Sequence, residues 1–112
     1  MFDALKNLGN MGDLMQRARQ MQEEIQKVQE ELAKIQVTAD AGGGMVQATV
    51  NGRFELVKLK IDKARVDVND TELLEDVIVA AVRGAQTRAA DVVKQEMQRK
   101  AQELGVPPGM LP

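Results

Sequence analysis

Gly42-Gly43-Gly44 is the stretch of this sequence closest to phosphate-handling chemistry, because consecutive glycines let backbone N–H groups converge on an anion. A phosphate loop of the Walker type needs a lysine and a serine or threonine after the glycines, opening a helix. Here Met45-Val46-Gln47 follows and opens a strand-like alternation. The glycine spacing of a dinucleotide fingerprint and its strand-to-helix context are absent too. The glycines are expected to turn the chain between two strands. Glu23-Glu24 and Glu30-Glu31 offer paired carboxylates, but adjacent side chains diverge around a helix and do not converge on one substrate. With no histidine and no cysteine, the usual zinc ligands, a thiolate and the usual general base near neutral pH are all missing. No catalytic residue, metal or cofactor is expected, and an enzyme is not the reading. Phe2 and Phe54 are the only aromatic residues, so single strands would find almost nothing to stack on.

What remains is the chemistry of cations. Fifteen basic residues stand against 17 acidic ones, a net charge of −2. That balance argues against indiscriminate nucleic-acid binding, although local clusters can support it.

The elements that would position these cations are legible in the periodicity. A chain of 112 residues makes one domain with one modest core. Residues 1–12 carry Phe2, Leu5 and Leu8 at helical spacing, but Gly9 and Gly12 interrupt them, which predicts a frayed lead-in. Asp13 can cap a helix over 13–35, with Leu14, Ala18, Met21, Ile25, Val28, Leu32 and Ile35 forming a heptad seam. From Ile35 the period becomes two, predicting a three-stranded antiparallel meander over 35–61. Asn51-Gly52 between alternating runs predicts a type I′ hairpin turn. A parity slip between Leu56 and Leu59 points to a bulge in the third strand or to a less regular strand. Asn69 and Glu72 have the spacing of a capping box for a second helix over 70–104, stopped by Gly105 ahead of Pro107-Pro108 in the 105–112 tail. The fold class is therefore α+β: helix, three-stranded sheet, long helix. The longest apolar run, Val77 to Val82, is far short of a membrane span, and the N-terminus lacks the pattern of a signal peptide, so neither membrane insertion nor export is expected.

The heptad helix, "VTADAGGGMVQATVNG", a third strand ending "LKID", "LLEDVIVAAVRGA" and the tail "PPGM" together resemble the YbaB/EbfC family of bacterial nucleoid-associated proteins. The likeness runs along nearly the whole chain, in order. It implies a tweezer-like homodimer in which the sheets join the protomers and the long helices project. It also implies binding to double-stranded DNA, a cytoplasmic location at the nucleoid, and replication or recombination proteins as further partners to consider. One departure stands out. Family members often carry proline, serine and leucines after the "ID", where this chain has Lys63-Ala64-Arg65-Val66-Asp67.

Dimerisation can also be argued from the residues. The Val77–Val82 segment is apolar nearly all round, and leaving several such side chains exposed is costly. Phe54, Leu56 and Leu59 on the third strand with Leu74, Val77, Ile78 and Ala81 on the second helix are the expected interface. The alternative is a monomer with both helices folded over one sheet face. For DNA, the first helix places Glu23, Glu24, Glu30 and Glu31 on one flank of its seam and Arg19, Lys27 and Lys34 on the other. Charge alone reads these as solvated faces, and the resemblance turns that reading toward DNA. The expected contacts are Arg17, Arg19, Lys27 and Lys34 on the first helix and Arg88, Lys94, Arg99 and Lys100 on the second. Lys58 and Lys60 share one face of the third strand, with Lys63 and Arg65 after them. A competing reading is an adaptor for another protein's helix, favoured by the acidic charge and by Met1, Met11, Met15 and Met21.

Overall fold

The computed structural model describes the chain from residue 2 to residue 105, with side chains described from residue 10 onward. The order is α1 (Phe2–Lys34), β1 (Gln36–Ala41), β2 (Val46–Asn51), β3 (Leu56–Ile61) and α2 (Thr71–Leu104). The helix–sheet–helix order matches the expectation, and the 106–112 part of the tail lies outside the described residues. The chain divides into two compact units, one ending at Glu31 and the other starting at Leu32.

In the first unit the expected lead-in is corrected. The helix runs unbroken from Phe2, through Gly9 and Gly12, so Asp13 is an interior residue and not a cap. Each helical glycine costs about 1 kcal/mol relative to alanine. Extending a nucleated helix still adds one hydrogen bond per residue fixed, and that outweighs the penalty here.

The second unit holds the core. The sheet order is β1-β2-β3, antiparallel throughout. Gly42, Gly43 and Gly44 all have positive φ and connect β1 to β2, as the turn reading requires. The partners Thr49↔Lys58 and Val50↔Leu56 leave Val57 as an extra residue on β3, which is the expected bulge. Val46, Ala48 and Val50 of β2 and Ala39 of β1 point at α2, where Val77, Ala81, Ala85 and Ala89 are buried. The small residues on both sides bring helix and sheet close, and a Cβ on Gly84 would sit 3.4 Å from that of Ala39. Ala85→Leu should therefore overpack the site and cost about 2–3 kcal/mol, read as a shift of the denaturant midpoint.

Two local expectations are corrected at the element ends. The second helix is capped by Asp70, whose carboxylate accepts from Leu73 N–H at 3.2 Å, so the Asn69–Glu72 capping box does not form. The Asn-Gly turn is not type I′, because Gly52 does not have positive φ and Phe54 does, at 64°. Phe54 N–H donates to Asn51 O (3.0 Å) and Asn51 N–H to Glu55 O (3.0 Å), a type I turn followed by a left-handed residue. Asn51 holds this loop from within: its side-chain oxygen accepts from Arg53 N–H at 2.9 Å and Glu55 N–H at 3.1 Å. Gly52 serves another purpose. Its N–H donates to Leu32 O at 2.9 Å and Ile35 O at 3.1 Å, satisfying carbonyls at the end of α1.

Candidate nucleic-acid interface

Whether a cation can meet a phosphate depends on what already holds it. Arg17, Arg19, Lys34 and Lys94 are exposed and, among the described residues, enter no ion pair. On α1, Arg17 lies seven residues before Glu24 and fourteen before Glu31, on the acidic flank of the helix, apart from Arg19. Lys27 stands 3.9 Å from Glu24 with both side chains largely exposed, a pair worth little in water.

Other expected contacts are engaged. Arg88 donates to the carbonyl of Thr38 at 2.7 Å, tying α2 to β1. Arg99 is held between two carboxylates one turn either side, donating to Glu96 and, at 2.7 Å, to Glu103. Its hydrogen bond, with the charges of Arg99 and Lys100, lowers the Glu96 carboxyl from its ordinary value against an opposing push from desolvation. Lys100 is half-buried and also has an interaction of its own.

The connection from β3 to α2 uses part of its extra charge structurally. Arg65 donates to the carbonyl of Gly43 and pairs with Asp62 at 3.2 Å, fastening the connection to the glycine turn. Asp62 and Asp67 shape the rest by accepting from Ala64 N–H and Asn69 N–H, each at 3.0 Å. Lys63 stays exposed and unpaired among the described residues. The sheet's own lysines lie outside the expected contacts. Lys58 and Lys60 are exposed and enter no ion pair among the described residues.

The expected interface residues fall into two groups. Val77 and Ala81 are buried in the chain's own core, with Leu74 and Ile78 packed against it. One side of the apolar Val77–Val82 segment thus finds its partners at home, against Ala39 and Ala48, while Val79 and Ala80 on its other side stay exposed. A further uncovered apolar strip lies on β3 and the turn before it: Phe54, in the turn and not on the strand, and Leu56, Leu59 and Ile61 are 47, 49, 37 and 36% exposed. Leu59 and Ile61 pair across with the buried Ala48 and Val46, so they continue the core face beyond the reach of α2, which packs on β1 and β2.

Among the described residues no group of three or more acidic side chains converges to hold a metal ion, and no helix is long and apolar enough to cross a membrane. The hollows along α1 are shallow and polar, one lined by Asp13, Gln16, Arg17 and Gln20.

Comparison with known proteins agrees with this architecture. The model of the YbaB/EbfC DNA-binding family matches residues 7–104. A protein of Paramagnetospirillum magneticum named as nucleoid-associated is 44% identical over 105 residues, covering 94% of this chain and 95% of its own. Another so named, from a Thermoanaerobacter species, is 46% identical over 98 residues, 88% of each chain. Among solved structures, an uncharacterized protein from Helicobacter pylori shares the fold with a TM-score of 0.65 at 24% identity, over 80% of this chain and 95% of its own.

Proposed function

This chain belongs to the YbaB/EbfC DNA-binding family, and we propose that it is a nucleoid-associated protein that binds double-stranded DNA as a homodimer, with little sequence specificity and no enzymatic activity. The supporting observation is that Arg17, Arg19, Lys34 and Lys94 are exposed and, among the described residues, have no carboxylate partner, on a chain of net charge −2. Cations kept free on an otherwise acidic protein suit local contacts with phosphate. Lys27 joins them at little cost, since its pair with Glu24 is exposed. Arg88, Arg99 and Lys100 carry less of the binding, because each would first have to leave an existing partner. The dimer is held through the uncovered apolar strip of β3, and a two-fold axis doubles each set of cations. Such a protein acts in the cytoplasm, at the nucleoid, in chromosome organisation, gene regulation or DNA repair, where replication or recombination proteins are candidate partners.

Anisotropy of a labelled duplex of about 30 base pairs, titrated at several salt concentrations, tests the reading. Affinity should fall log-linearly with salt, and a scrambled duplex should compete equally. No binding at tens of micromolar protein in low salt would overturn it. One observation favours a second reading, an adaptor for another protein. Met11, Leu14, Met15 and Met21 on α1 are all more than half exposed. A partner retained after nuclease treatment, by a protein without affinity for the duplex, would favour that reading.

A further inference from the structure

We propose that the free face of the sheet is a second phosphate-contacting surface for duplex DNA, led by Lys58 and Lys60 and extended by Gln47 and Lys63 at its end. The inference rests on the DNA-binding reading above and adds a surface distinct from the helices.

The register assigns the face. Thr38, Thr49 and Lys58 form one cross-strand row, and Asp40, Gln47 and Lys60 the next. The Thr38 and Thr49 hydroxyls lie 2.9 Å apart in a hydrogen bond, so their side chains share a face. It is the face away from α2, because the alternate residues Val46, Ala48 and Val50 are the ones buried under the helix. The first turns of α2, with Glu72, Glu75 and Asp76, therefore lie across the sheet from Lys58 and Lys60.

Charge decides the occupant. The carboxylates nearest to β3 in the chain are already engaged: Asp62 with Arg65 at 3.2 Å, and Glu55 with Arg53 at 3.6 Å. Asp40 lies on the far strand with Gln47 between, about 10 Å from the line of Lys60. Lys58 and Lys60 are spaced about 6.6 Å along the strand, two charges in a line suited to an extended polyanion. At the end of that line a cleft of about 430 Å³ is lined by Gly44, Gln47, Lys60, Ile61, Asp62 and Lys63. The face has hydroxyls, an amide, the Asp40 carboxylate on the far strand and two ammonium groups on β3, but no aromatic ring, so its β3 side suits a duplex backbone better than stacked single strands.

Lys58→Gln with Lys60→Gln tests this in the anisotropy assay, beside Lys58→Arg with Lys60→Arg. The glutamine pair should make the log-affinity against log-salt slope shallower by about 1.8 for each protomer whose sheet meets the duplex, at about 0.9 per lost contact, and weaken binding at least tenfold in low salt. The arginine pair should restore both, and circular dichroism and solution mass should match wild type throughout. If wild type fails to bind, the DNA reading itself falls. If wild type binds and the glutamine pair keeps its affinity and slope, the sheet surface falls and the lysines merely protect an edge strand. Failure of the arginine pair to restore binding, or an altered mass in the glutamine pair, would likewise overturn it.

Discussion

Gly52→Ala is expected to destabilise the protein by about 3 kcal/mol or more, lowering Tm by about 12–24 °C. A Cβ built on Gly52 would stand 2.5 Å from Leu32 O and 3.1 Å from Leu32 C, and these are backbone atoms that cannot rotate away. The hairpin would have to retreat, and the hydrogen bonds from Gly52 N–H to Leu32 O and Ile35 O would lengthen or break. Carbonyls at the end of α1 would then lose their partner next to Asn51, which is 7% exposed. Gly43→Ala is the matched control. Its φ of 65° makes alanine strained, but nothing lies within 4 Å of the new Cβ. That substitution should cost about 1–2 kcal/mol from backbone strain alone. Gly52 has no positive φ, so the difference between the two variants isolates the close approach. Equal Tm values in the two variants would show that the hairpin does not lean on the helix end.

The contrast also shows where sequence reasoning reaches and where it stops. The change from a heptad seam to alternation at Ile35 and the glycine turn at 42–44 are local patterns, so the order of elements was legible. So was the bulge, because an extra residue at Val57 must break the parity between Leu56 and Leu59. Asn51-Gly52 misled because the same dipeptide suits both a left-handed turn and a close approach, and the atom that decides, Leu32 O, lies far away in sequence. The cations misled in a related way. Arg65 and Arg88 look free in sequence, yet they bind carbonyls 22 and 50 residues away. The run at 77–82 looked like an interface because periodicity reports an apolar surface without saying which neighbour covers it. The alanines of β1 and β2 supply that neighbour for Val77 and Ala81, while Val79 on the same run stays half exposed.

Leu56→Glu with Leu59→Glu is accordingly expected to convert a dimer, twice the 12.3 kDa chain, into a monomer. Phe54, Leu56, Leu59 and Ile61 are each between a third and a half exposed, so covering them contributes about 1 kcal/mol apiece. Across a two-fold axis that is about 8 kcal/mol, of the same order as the cost of association. The margin is narrow enough for two leucines to decide it. Removing them from both protomers takes away about half of the apolar gain and places four carboxylates in the contact. Dissociation should rise by more than about 100-fold. The monomer should keep its fold, because neither leucine belongs to the buried core. Light scattering on wild type and variant at tens of micromolar reads the change, with circular dichroism as the folding control. A variant that keeps the dimer mass would move the interface off β3, and a monomeric wild type would end the homodimer reading. The same variant carries a second readout: with half the cations on each particle, its DNA affinity should show about half the salt slope of wild type.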